Sequence, residues 1–100
     1  MITVQVSGFL TGFTGGRTTI PLDGAPATVA DALTRLWIEY PGLRDRVVNE
    51  LGEVRPHVSI FVNDDHIRHR EALATPLGEG DDLTILPAIS GGNGRRGRER

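Results

Sequence analysis

Only one stretch of this 100-residue chain carries the signature of a long helix. Val29, Ala32, Leu33, Leu36, Trp37 and Tyr40 follow the i, i+3, i+4, i+7 pattern that gathers apolar side chains on one helix face. Trp37 therefore belongs to a core stripe and not to a binding surface. Thr28 stands just before the run as a capping residue, with Asp31 three positions on in a weak version of the capping box. Pro41-Gly42 is expected to stop the helix. Around it lie short segments of period two. Ile2-Thr3-Val4-Gln5-Val6 alternates strictly; Arg17 to Leu22, His57 to Val62 and Asp82 to Leu86 also read as strands. The first two form a hairpin, and Asp23-Gly24-Ala25-Pro26 turns the chain into the helix. Returning from a helix to the same sheet requires a crossover, so a mixed sheet is expected. The prediction is an α+β domain: a mixed four- to five-stranded sheet with one main helix packed on one face.

One helix leaves the other sheet face uncovered. By alternation that face carries Thr3, Gln5, Ser59, Phe61, Thr84 and Leu86. Four of these are polar. Phe61 and Leu86 are not, and large apolar residues on an otherwise polar face mark a partner interface.

Less of the remaining chain is patterned. Ser7 to Gly16 holds Gly8, Gly12, Gly15 and Gly16 and reads as a mobile hairpin loop; its spacing matches neither the dinucleotide fingerprint nor the P-loop. Leu43 to Val48 reads as a short helical turn, Glu50 to Glu53 as a reverse turn, Asn63-Asp64-Asp65 as a tight turn, and Leu73 to Gly80 as a loop with one helical turn. His57, His66 and His69 lack the spacing of a zinc helix. His66 and His69 are close enough in sequence to share a metal but read as solvated turn residues, and no metal site is expected. Asp64-Asp65 and Asp81-Asp82 read as turn and strand-entry carboxylates, and no catalytic constellation stands out.

The end of the chain is different in kind. After the alternating Leu83-Thr84-Ile85-Leu86, Pro87 brings no N–H to a ladder and is expected to end the strand. Ala88-Ile89-Ser90-Gly91-Gly92 then follows with small residues and two glycines. From Pro87 to Gly92 an extended chain spans on the order of 20 Å, long enough to enter another protein's active site while the body stays outside. The expected organisation is a body over 1–87, a flexible arm over 88–92 and a tail over 93–100.

Leu83-Thr84-Ile85-Leu86-Pro87-Ala88-Ile89-Ser90-Gly91-Gly92 resembles the terminal motif of the ubiquitin-like sulfur carriers, the MoaD/ThiS family. Val58-Ser59-Ile60-Phe61-Val62-Asn63-Asp64-Asp65 and Leu73-Ala74-Thr75-Pro76-Leu77 extend the likeness, which is greatest to the cysteine-synthesis branch. The resemblance implies the β-grasp topology. It also implies that Gly92 is the site of adenylation and thiocarboxylate formation, on an arm formed by Ile89, Ser90 and Gly91. The chain itself would be no enzyme and would hold no cofactor; ATP would be used by an adenylating partner. Further implied partners are a sulfur acceptor such as a cysteine synthase and, for processing between Gly92 and Asn93, a JAMM-type metalloprotease. Carriers of this family usually end at the second glycine, whereas this chain continues to Arg100.

Composition narrows the remaining options. With no cysteine, any sulfur chemistry must use another group, and a cytoplasmic setting is consistent. No apolar run approaches a membrane span, and no signal peptide is apparent at Met1-Ile2-Thr3-Val4. All eleven basic residues are arginines, so the chain has no lysine on which to grow an isopeptide chain. Residues 1–92 carry seven arginines against twelve acidic residues, and 93–100 four against one. An acidic body with one short basic tail lacking aromatics argues against a nucleic-acid partner. The alternative to a carrier is a β-grasp interaction module that is never activated, in which Gly91-Gly92 is only a linker.

Overall fold

The computed structural model describes residues 1–87. Five strands and two helices occur in the order β1 (Ile2–Val6), β2 (Thr19–Leu22), α1 (Val29–Glu39), α2 (Pro41–Val47), β3 (Val58–Val62), β4 (Asp65–His66) and β5 (Asp82–Pro87). The strands form one sheet in the order β2-β1-β5-β3-β4. β1 pairs antiparallel with β2 and parallel with β5, so the sheet is mixed as the sequence implies. This is the β-grasp arrangement, with α1 as the crossover between the hairpin and the second half of the sheet.

The core follows from the two periodicities. Ile2, Val4, Val6, Val58, Ile60, Val62, Leu83 and Ile85 face inward from three adjacent strands. Val29, Ala32, Leu33 and Leu36 meet them from α1, while Trp37 and Tyr40 pack at the margin. The Asp31 N–H donates to Thr28 Oγ1 at 3.2 Å, so the cap forms as expected. The reverse turn at 50–53 is present too, with Gly52 at φ 81° and Asn49 N–H bonded to the Glu53 carbonyl.

Three expectations need correction. Pro41 does not merely end α1: it is the first residue of α2, where its missing N–H costs nothing and its fixed φ suits the helix. Leu43 and Val47, one turn apart, are buried and hold α2 on the core, so the expected short turn is a seven-residue helix. The glycine-rich stretch is not a mobile loop. Gly8–Phe13 is a 3-10 helix that plugs the core with fully buried Leu10. Thr14 closes it, buried, its hydroxyl donating to the Arg17 carbonyl at 2.7 Å. Finally, the ladder includes Pro87, which lies opposite Val58. The Asn63 N–H bonds the Asp82 carbonyl at 2.8 Å, which fixes the parity of the β3–β5 ladder. By that parity Val58 and Pro87 form a non-hydrogen-bonded pair, so the proline has no donor to supply.

Candidate functional site

The described part of the site is the base from which the arm departs and the sheet face beside it. β5 lies in the middle of the sheet, bonded to β1 on one side and β3 on the other. Leu83 and Ile85 are fully buried, so this strand is anchored along both edges and one face. The backbone at Pro87 is thereby held by the body. Ile89, Ser90, Gly91, Gly92 and Asn93 lie outside the described residues.

A second support comes from the 3-10 segment. Gly8 adopts φ +67°, and a Cβ placed on it would come within 2.7 Å of Pro87 Cγ. Any side chain here would be strained by the backbone and would push on the proline. The glycine pattern gave no sign of this: its reason is a close approach by a residue 79 positions later in the chain.

The open sheet face is as alternation requires. Ser59 and Phe61 on β3 and Thr84 on β5 are half-buried between buried neighbours, and Leu86 is half-buried between buried Ile85 and half-buried Pro87. Phe61 lies opposite Thr84 and Leu86 opposite Ser59, so the two apolar residues occupy diagonal positions on one face. Toward β2 the face is polar, with Thr19 Oγ1 donating to Gln5 Oε1 at 3.0 Å. Phe61 also lies opposite His66 of β4, the rings 5.0 Å apart and edge to face. That contact braces the ring, which stays half-buried at a position diagonal to Leu86.

His66 is a structural partner in this turn. Its Nδ1 accepts the Arg68 N–H at 3.1 Å, which requires the neutral ring. Burial, then the charge of Arg68, then that of His69, hold its pKa below the ordinary histidine value. The His66 and His69 rings are 6.1 Å apart, and among the described residues no group of three or more His, Cys, Asp or Glu is placed to hold a metal. In the turn between β3 and β4, Asn63 ties β3 to the start of β5. At φ 56° it takes the left-handed conformation that asparagine tolerates. Its side chain accepts from the Asp82 N–H and donates to Asp81 Oδ1, both at 3.1 Å. Asp81 also accepts the Gly78 N–H at 2.8 Å, and these bonds lower its pKa. The two acidic pairs are thus strand-entry groups, as their sequence positions suggested. No helix among the described residues is long and apolar enough to cross a membrane.

A five-stranded β-grasp body ending in a central strand defines the class of small ubiquitin-like carriers and modifiers. The chain belongs to the ThiS family, whose model matches residues 4–92. It is 33% identical over 93 residues to the sulfur carrier protein CysO of Mycobacterium tuberculosis, covering 91% of this chain and 98% of the relative. It is 41% identical over 66 residues to small archaeal modifier protein 3 of Haloferax volcanii, covering 66% and 71% of the two chains. Among solved structures, a chain of the Amycolatopsis orientalis BexX/CysO complex is similar with a TM-score of 0.82 at 32% identity, covering 92% of this chain and all of that one. M. tuberculosis CysO itself gives 0.80 at 32% identity, covering 89% of this chain and 100% of that one. Membership places the chain among small sulfur carriers and modifiers, which are carried substrates and not catalysts.

Proposed function

We propose that this protein is a sulfur carrier activated at Gly92 after removal of residues 93–100. The observation that carries this reading is where the family match stops. It runs to residue 92, the second glycine, and leaves the basic tail outside. In the full-length chain Gly92 is in a peptide bond, with no free carboxylate to activate. Once cleavage after Gly92 frees it, the carboxylate attacks the α-phosphorus of ATP on an adenylating partner, and pyrophosphate leaves. The resulting acyl adenylate is attacked at carbon by a sulfide-level nucleophile. The carbon–oxygen bond to AMP breaks, AMP departs, and a thiocarboxylate remains, a covalent group transfer of the general kind described for activated acyl groups. Glycine suits this terminus because a backbone without Cβ passes through a narrow tunnel.

The likeness to CysO supports a cysteine-synthesis acceptor, with sulfur delivery into another cofactor or natural product as the wider class. Phe61 and Leu86 would meet the adenylating enzyme or the acceptor, since both lie on the face beside the arm base. A JAMM-type metalloprotease is the proposed processing partner. Because the reaction consumes ATP, the cytoplasm is the proposed compartment. A second reading is favoured by the Haloferax relative, which is named a modifier. The same adenylate attacked by an amine would give a protein conjugate through the same Gly92.

Intact mass of the protein from its native cell tests the proposal. A chain ending at Gly92 with one oxygen replaced by sulfur supports the carrier. A mass that includes a second protein supports the modifier. Full-length chain alone under all growth conditions contradicts both and leaves the interaction module.

A further inference from the structure

A cleft of about 410 Å³ opens at the β4 edge of the sheet. Its walls come from the 53–56 turn, from β3 and from the 66–73 segment. Val54, Ile67 and Leu73 give it an apolar floor, with Ile67 buried and the other two packed partly against the core. Arg55 and Arg68 stand at its margin. Among the described residues neither is in an ion pair, although the Arg55 Nε–H donates to the Asp45 carbonyl at 2.8 Å. The one acidic lining residue, Glu53, already accepts a hydrogen bond from Asn49.

An apolar centre with a charged margin is the anatomy of a protein contact. The sign of the margin is what selects the occupant. Residues 1–92 carry a net charge of about −5. Two arginines around an apolar floor, neither in an ion pair among the described residues, are therefore a local exception to the acidic body. The chain's own tail is a poor occupant, because its four arginines would face Arg55 and Arg68. We propose that this cleft docks an acidic segment of a partner protein, with a leucine-like side chain in the apolar floor and flanking carboxylates on Arg55 and Arg68. The proposal is independent of any chemistry at Gly92.

The test uses the full-length chain labelled with nitrogen-15 and three probes. The first is a synthetic peptide, acetyl-Glu-Asp-Glu-Leu-Leu-Asp-Glu-amide. The second replaces every acidic residue with lysine. The third is citrate, a small anion without an apolar part. The acidic peptide is expected to shift the amide signals of Val54, Ile67 and Leu73. Its affinity should fall at least tenfold in Arg68→Glu, an exposed position whose change leaves the melting temperature near the parent's. A second variant, Leu73→Ser, should weaken the peptide while the margin charges stay in place. The proposal is overturned if the acidic peptide leaves these signals unmoved or if the lysine peptide binds equally. It is also overturned if citrate reproduces the shifts, which would make the cleft a small-anion site, or if Arg68→Glu binds as the parent does.

Discussion

Gly8 and Pro87 are in contact at the root of the arm: a Cβ on Gly8 would sit 2.7 Å from Pro87 Cγ, on a backbone already at φ +67°. Gly8→Ala therefore combines left-handed strain with a steric clash. It is expected to cost about 1–3 kcal/mol, shifting the midpoint of urea unfolding accordingly. It should also slow activation at Gly92, because the arm base moves. Unchanged stability would show that the backbone at position 8 relaxes without cost and that the contact does not fix Pro87.

Such contacts explain which parts of the molecule are legible in the sequence. The helix, its Thr28 cap, the alternation of Phe61 with Ile60 and Val62, and the mixed sheet follow from local period and chain order. The role of Gly8 does not, because it depends on Pro87, which is distant in the chain. Nor does the extent of α2. The Pro-Gly pair that signals a helix end is also compatible with a helix start, and burial of Leu43 and Val47 decides between them. Asn63 looks like an ordinary turn residue until the sheet brings Asp81 and Asp82 beside it. The arm could be read only through its resemblance, since small residues and glycines carry no period.

Phe61→Asp is expected to weaken binding of the adenylating or acceptor partner at least tenfold while the domain remains folded. Phe61 is half-buried on the open face, so a carboxylate there still reaches water. Loss of its edge-to-face contact with His66 should cost about 1 kcal/mol. Partner affinity and a thermal melt together check this. An unfolded variant would mean that Phe61 is a core residue.

The His66 turn predicts a pH effect of definite sign. Its pKa is lowered in the folded chain, so the unfolded chain binds more protons as acid is added. The contribution is fully present above the unfolded value of about 6.5 and is lost as pH falls through that value toward the folded one. Acid also removes the Nδ1 lone pair that accepts from Arg68. Unfolding midpoints measured at about pH 7.5 and 5.5 should differ more in the parent than in His66→Gln. Equal differences in both would assign the effect elsewhere.

Asp81 acts in the same direction as His66, at lower pH. Its carboxylate accepts from Gly78 and Asn63, and its pKa is lowered, so its contribution is present above the unfolded value and lost as pH falls through the folded one. Asp81→Ala should cost about 1 kcal/mol at neutral pH, a modest figure because the group is partly exposed. The difference from the parent should disappear at about pH 2. A penalty that persists in acid would show that packing, not the carboxylate, is responsible.

The most direct test of the carrier account compares two chains, one ending at Gly92 and one ending at Arg100. Each is given ATP, a sulfide-level donor and the adenylating enzyme, and its mass is read for exchange of oxygen by sulfur. The Arg100 carboxylate lies eight residues past Gly92, up to about 28 Å when extended, behind arginines that a glycine-wide tunnel excludes. The account predicts thiocarboxylate on the chain ending at Gly92 and none on the full-length chain. Equal conversion of both without proteolysis, or conversion of neither, would contradict it.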